Sequence, residues 1–256
     1  MDNLLHFAAE EKVFPGEPFL ALGYGFTEEG LWRERPLPEA AALAVDDRFL
    51  PAPEGLDRAL EVLKGWNGWI FFDFERPPAE PLIRLLEGLA GSTAVVPPAY
   101  EKHPHWGVLA GPYQPGQSFA RWLRGQQARY GRVVLDAAPL RCRVRPGHSP
   151  EPWTGPLPSL PAGILTDGRR EATSDAQDQP PVSHQPEAQA DGKREAPAGV
   201  LAREIFLCPG ADCLCCRNTD GSLLFLDTQT TLRRRCARAD VPAVILAEEW
   251  SALQKD

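Results

Sequence analysis

The chain has 256 residues, enough for one domain with a single hydrophobic core. Apolar residues make up 43% of it and charged residues 24%, as is usual for soluble globular proteins, and the net charge of −8 argues against nucleic acid as a main partner. No apolar run approaches the roughly 20 residues of a membrane span, and the N-terminus lacks the pattern of a secretory signal, so we expect a cytoplasmic protein with no membrane partner.

Short apolar runs recur along the chain with the continuity of β-strands that are buried on both faces. In chain order they are Leu4–Ala8, Phe19–Gly23, Ala41–Val45, Trp69–Phe74, Thr93–Val96, Gly107–Ala110, Val133–Leu135 and Ala243–Ala247. Stripes with helical spacing lie between several of them, over residues 56–63, 82–89, 119–123 (after Ser118 as N-cap) and, more weakly, 232–236.

Alternating strands and helices predict parallel strands joined by right-handed crossovers. We therefore predict a single α/β domain over residues 1–256, folded as a (β/α)8 TIM-type barrel that is distorted because several crossovers are too short for a full helix. An open doubly wound sheet is the alternative architecture. No Gly-rich phosphate loop follows any predicted strand, and we expect no cofactor.

Two segments interrupt this pattern between the seventh and eighth strands. Residues 167–198 have almost no large apolar side chain, which predicts a disordered insertion. Residues 204–228 contain two apolar runs around Asp220-Gly221, which predicts a β-hairpin at the barrel rim.

This hairpin is rich in cysteine. Its thiols follow the order Cys208, Cys213, Cys215 and Cys216, which is not a standard zinc spacing. We interpret them as small buried hydrophobic side chains, with Cys213 and Cys215 on one face of a strand and Cys216 on the other. A redox or metal role is the alternative.

Acidic residues follow four of the predicted strands. They are Asp46-Asp47, Asp73 with Glu75, Asp136, and Glu248-Glu249 ahead of Trp250. In a parallel barrel the chemistry gathers at the C-terminal strand ends, and carboxylates combined with aromatic rings suit a sugar ligand. We therefore predict a substrate-binding rim formed by Asp46, Tyr113, Asp136 and Trp250, with a glycan or small sugar as the partner.

The stretch from Gly68 to Pro77, Gly-Trp-Ile-Phe-Phe-Asp-Phe-Glu-Arg-Pro, has two acids on one face of an apolar strand. If Asp73 stays ionised, Glu75 beside it should hold its proton to higher pH, as a general acid must. The stretch resembles the fourth-strand signature of the family 18 glycoside hydrolases, the chitinase-like barrels, in which the motif reads Asp-Gly-x-Asp-x-Asp-x-Glu.

The resemblance implies a substrate-assisted retaining mechanism, in which the N-acetyl oxygen of the sugar attacks the anomeric carbon. Glu75 matches the acid of that family and Asp73 matches the residue that orients the acetamido group. Phe71 stands where the Asp-x-Asp-x-Glu part of the motif has its first aspartate, and Gly68-Trp69 stand where Asp-Gly is expected.

Two other functions remain open at this point. One is a non-catalytic barrel that serves as a carbohydrate-binding or protein-interaction module, which Phe71 favours. The other is a metal-dependent hydrolase that uses Asp46, Asp47 and His103, although no metal ligand set is evident.

Overall fold

The computed structural model describes residues 4–9, 14–46, 49–73, 80–89, 93–98, 106–155, 158 and 202–253, with only the backbone described at 73, 93, 202 and 203. Its centre is a closed barrel of eight parallel strands. The strands are β1 (Leu4–Ala8), β2 (Phe19–Gly25), β3 (Ala42–Asp46), β4 (Trp69–Asp73), β5 (Thr93–Val96), β6 (Gly107–Ala110), β7 (Val133–Asp136) and β13 (Ala243–Leu246).

The barrel confirms all eight predicted strands, with ends that differ by at most two residues. Around the barrel the order is β1-β13-β7-β6-β5-β4-β3-β2, and β1 closes the ring by pairing in parallel with both β13 and β2. The alternative of an open doubly wound sheet is therefore wrong.

Helices cover only part of the barrel. Within the described residues they are α1 (Pro53–Lys64), α2 (Glu80–Gly88), α3 (Phe119–Tyr130), α4 (Gln229–Ala239) and α5 (Ala247–Ala252). The four predicted helical stripes fall in α1 to α4, except that the second stripe extends one residue beyond α2. The Ser118 side chain caps α3 by accepting a hydrogen bond from the Arg121 N–H at 3.4 Å.

A complete (β/α)8 pattern is not confirmed. Residues 26–41, which join β2 to β3, form no helix; there Phe26 and Trp32 pair across a short bridge and pack edge to face. Both rings are buried in the cluster that covers the outside of β2 to β6, together with residues of α1 and α2. The two rings therefore supply apolar cover that a helix gives elsewhere in the barrel.

Side chains alternate between the inside and the outside of the barrel, as the strand period of two requires. The inward set forms one cluster: Leu5, Leu20, Ala42, Ala44, Phe71, Val95, Val134 and Val244. The outward set packs under α1 and α2 on one side of the barrel, and under α3, α4 and α5 on the other. The interior is therefore a packed core and not a channel.

The predicted hairpin is part of a larger structure. In the chain, a five-stranded antiparallel sheet comes between β7 and α4. Its strands are β8 (Arg141–Val144), β9 (Glu151–Pro152), β10 (Ala202–Cys208), β11 (Cys213–Asn218) and β12 (Leu223–Leu226). They pair in the order β10-β11-β12-β8-β9, and Asp220-Gly221 forms the β11–β12 turn as predicted. The insertion predicted over 167–198 lies outside the described residues.

Cys213, Cys215 and Cys216 are buried as predicted, whereas Cys208 is partly exposed. Cys213 and Cys215 face the barrel-side cluster, while Cys216 belongs to the cluster on the opposite face of the sheet. All six cysteines of the chain carry free thiols.

In the part of the chain that the structure describes, no helix has both the length and the apolar character needed to span a bilayer.

Candidate functional site

The first pair of acids stands at the C-terminal ends of two neighbouring strands. Asp46 ends β3 and Asp73 ends β4, and the two residues are direct partners in the parallel register. Gly25 of β2 lies beside Asp46 and has no room for a side chain, because a Cβ there would stand 2.3 Å from the Asp46 carbonyl oxygen. The close approach of β2 therefore helps to fix the backbone that presents the Asp46 carboxylate.

A second pair of acids stands at the ends of β7 and β13. Asp136 is the last residue of β7 and has the same strand parity as Val134, which faces the barrel interior. Its Oδ1 accepts a hydrogen bond from the Ala138 backbone N–H at 3.0 Å. Glu249 follows β13 in the first turn of α5, and both carboxyl groups are partly buried.

These two carboxyl groups share an environment that favours their protonated forms. Burial raises the pKa of Asp136, and the hydrogen bond from Ala138 offsets part of that rise. Burial also raises the pKa of Glu249, the nearby Asp136 carboxylate raises it further, and a hydrogen bond from the Leu246 backbone lowers it. A carboxyl group that keeps its proton to higher pH can act as a general acid.

The two pairs of acidic residues stand on opposite sides of the barrel mouth. Two strands, β5 and β6, separate β4 from β7 along one side of the ring, and β1 and β2 separate β3 from β13 along the other. Asp46 and Asp73 therefore stand diametrically opposite Asp136 and Glu249 at the C-terminal end, where barrels of this type carry their chemistry. A ligand seated between them can contact the Asp46 carboxylate on one side and the Asp136 and Glu249 carboxyl groups on the other.

Between the acids the mouth is apolar. Phe71 lies one inward position below Asp73 and is only 4% exposed, and its ring meets that of Phe7 from across the barrel at 5.8 Å between centroids. Leu22 and Leu246 have the parity of the inward residues Leu20 and Val244, yet they are 40% and 49% exposed.

The two rings thus close the barrel beneath the acids, and the two leucines offer apolar surface at the rim. Such a mixture of carboxylates and apolar side chains can hold a ligand that has both polar groups and an apolar face.

Two of the residues predicted to line the mouth of the barrel, Tyr113 and Trp250, lie elsewhere in the structure. Tyr113 is 5% exposed, packs on Phe119 and Trp122, and donates its hydroxyl hydrogen to the Gln117 carbonyl at 2.5 Å. Trp250 is 3% exposed and packs on His6, whose parity puts it outside the barrel. The structure places both rings in the cluster that covers the outside of β7 and β13, so it does not bring them to the acids.

Other predicted residues lie outside the described part of the chain. These are Glu75, Asp47 and His103, and the side chain of Asp73 is likewise not described. Among the described side chains, no group of three or more His, Cys, Asp or Glu has the arrangement of a metal site.

Glu249 is the acid that sequence reasoning did not choose, although it follows the same strand as Trp250. The signal for it was a glutamate shortly after a predicted strand, in the first turn of a short helix. A glutamate in that place is equally typical of a residue that only stabilises the start of a helix. The pairing of β7 with β13 is what distinguishes a residue of the candidate site from such a helix cap.

A shallow depression of about 530 Å³ lies at the other end of the barrel. Its lining comes from the segments that enter β3 and β4, including Glu39, Trp66 and Asn67. Residues at the N-terminal end of a parallel barrel serve stability more often than chemistry, and among the described residues of this lining no second titratable group accompanies Glu39. The acidic mouth is therefore the stronger candidate site.

Comparison of the chain with protein-family models, with curated proteins and with solved structures gave no match.

Proposed function

We propose that the acidic mouth of the barrel binds a glycan of the N-acetylglucosamine type and hydrolyses it by a substrate-assisted retaining mechanism. The observation that carries the proposal is that two pairs of acidic residues, Asp46 with Asp73 and Asp136 with Glu249, stand at the C-terminal ends of strands on opposite sides of the barrel, above an apolar floor. The resemblance of the stretch from Gly68 to Pro77 to the family 18 glycoside hydrolases supports the assignment of roles.

In this proposal the N-acetyl carbonyl oxygen of the sugar attacks the anomeric carbon, while Glu75 gives its proton to the departing glycosidic oxygen. Asp73 accepts a hydrogen bond from the acetamido N–H and so holds the carbonyl oxygen in line. Water then attacks the anomeric carbon of the cyclic intermediate while it gives a proton to the Glu75 carboxylate, and the bond between that carbon and the N-acetyl oxygen breaks. Asp46 and the Asp136–Glu249 pair bind sugar hydroxyls on the two sides of the mouth, and Leu22 and Leu246 contact the apolar face of the ring.

Turnover of N-acetylglucosamine oligomers, measured with the wild type and variants side by side, tests this mechanism. Glu75→Gln should abolish hydrolysis and leave oligomer binding intact, because the amide keeps the shape of the side chain but has no acidic proton to give. Glu248→Gln is the matched control, since Glu248 is exposed and stands beside Glu249 in α5. Unchanged turnover in Glu75→Gln would rule out Glu75 as the acid.

A second function, glycan binding without hydrolysis, is favoured by one observation. Phe71 occupies the position of the first aspartate in Asp-x-Asp-x-Glu and is buried against Phe7, so no carboxylate stands there to support Asp73. Wild-type protein that binds the oligomers but does not cleave them would establish this second function.

A further inference from the structure

Two cysteines of the antiparallel sheet stand directly opposite each other. Cys208 ends β10 and Cys213 begins β11, and the two are register partners across the turn that joins these strands. Opposed residues of an antiparallel pair project to the same face, with Cα atoms about 4.5 to 5.5 Å apart. This spacing lies within the Cα range of a disulfide, about 4.4 to 6.8 Å.

The other thiols of the sheet lack such a partner position. Cys215 opposes Phe206 and Cys142 opposes Phe225, so neither faces a cysteine across a strand pair. Cys216 opposes Ile205 and packs on the other face of the sheet. The register therefore favours one pairing, between Cys208 and Cys213.

The same two thiols differ in access to solvent. Cys208 is partly exposed, whereas Cys213 is fully buried in the cluster that contacts the barrel. Burial also raises the pKa of the Cys213 thiol, which keeps it protonated and unreactive toward solutes. A small oxidant therefore reaches Cys208 first. Cys213, its partner in the strand register, is the thiol placed to react with the oxidised Cys208.

The turn between the two cysteines connects the sheet to two helices. The Gly210 carbonyl accepts a hydrogen bond from the Phe119 N–H at the start of α3, at 2.6 Å. The Asp212 carboxylate pairs with Arg238 and Arg234 of α4. A disulfide across this turn would restrain the segment through which the sheet contacts α3 and α4.

We propose that Cys208 and Cys213 are a peroxide-sensitive thiol pair that closes into a cross-strand disulfide. The Cys208 thiol loses its proton, the thiolate sulfur attacks hydrogen peroxide and the O–O bond breaks; the released hydroxide takes up that proton, so a sulfenic acid and one water result. The sulfur of Cys213 then attacks the Cys208 sulfur, the S–O bond breaks, and the Cys213 proton leaves with the hydroxide as a second water. Two thiols lose two electrons, and the peroxide takes them up.

Peptide mapping of the folded protein after treatment with hydrogen peroxide tests the proposal. Free thiols are alkylated at acidic pH, and the chain is cut with trypsin and with a protease that cleaves before aspartate. These cuts fall after Arg203, before Asp212 and after Arg217, so Cys208 and Cys213 end in different peptides. We expect peptides 204–211 and 212–217 to remain joined, with a mass about 2 Da below their sum, until a reductant is added.

Variants assign the link to one pair of sulfurs. Cys215→Ser and Cys216→Ser should retain the joined peptides, and Cys208→Ser should lose them. Cys208 is partly exposed, so its replacement by serine is compatible with folding. Peptide 204–211 recovered alone with a sulfinic acid on Cys208 and with Cys213 alkylated would overturn the proposal, as would joined peptides in Cys213→Ser.

Discussion

A buried ion pair links the end of the antiparallel sheet to helix α4. Its removal should be among the single substitutions that lower the free energy of unfolding most. Asp227 follows β12 and Arg235 lies in α4, with side chains 0% and 4% exposed. The guanidinium donates to both carboxylate oxygens, at 2.9 and 2.6 Å. The carboxylate also accepts hydrogen bonds from the Leu140 N–H at 2.7 Å and the Thr231 hydroxyl at 3.1 Å.

Asp227→Ala leaves the guanidinium charge and the Leu140 N–H buried without this carboxylate. The loss of one partner of a buried pair costs about 3 to 5 kcal/mol. For a chain of this length, that corresponds to a fall in Tm on the order of 10 °C. The matched control is Glu61→Gln, which removes a carboxylate from the surface pair with Arg58, where the side chains are 45% and 71% exposed; surface pairs of this kind contribute about 0 to 1 kcal/mol.

Urea unfolding followed by far-UV circular dichroism measures these differences, provided that the slope m is unchanged between variants. A second comparison isolates the charge, because Asp227→Asn combined with Arg235→Met removes both ionic groups and should be more stable than Asp227→Asn alone. A free energy of unfolding for Asp227→Ala within about 1 kcal/mol of the wild type would refute this account of the pair.

Two further predictions concern the mouth and the fit of the backbone. Folding raises the pKa of Asp136, so at a pH above about 4 the ionised carboxylate is less favourable in the folded state than in the unfolded chain. Asp136→Asn removes this cost. The variant should therefore raise Tm near pH 7, where the aspartate is ionised, but not near pH 3, where it is protonated in both states. Gly55→Ala should destabilise the protein despite its helical position, because a Cβ there would stand 2.0 Å from the Gly30 carbonyl oxygen. Gly125→Ala, at a helical position with nothing within 4 Å, should instead stabilise it by about 0.5 to 1 kcal/mol in the same urea assay. Equal effects of the two alanines would contradict the packing described for residues 30 and 55.

The strands of the barrel could be predicted because each is a short apolar run bounded by polar residues or turn signals. The crossover over 26–41 could not be predicted in its actual form. In this crossover, the contact between Phe26 and Trp32 covers the outside of the barrel in place of a helix. Two isolated aromatic residues produce no periodic pattern in the sequence from which such a contact could be predicted. Strands β8 and β9 were missed for a related reason, since they have four and two residues and little apolar patterning.

The candidate site was predictable only in part. Asp46, Asp73 and Asp136 end strands, which the sequence indicates directly. The closeness of Asp136 to Glu249 depends on the pairing of β7 with β13, strands that are about 110 residues apart in the chain. Tyr113 and Trp250 also follow predicted strands, but a large ring can serve a core or a ligand equally well, and here both rings are buried against other aromatic residues.

The central claim is that acids on opposite sides of the barrel mouth hold one ligand, and calorimetric titration with an N-acetylglucosamine oligomer tests it most directly. We predict that the wild type binds, and that Asp46→Asn and Asp136→Asn each weaken binding by about tenfold or more, since a hydrogen bond to a charged group contributes roughly 1.5 to 3 kcal/mol. Glu248→Gln should bind as the wild type does. Unchanged affinity in both aspartate variants, or the absence of binding by the wild type, would contradict the claim.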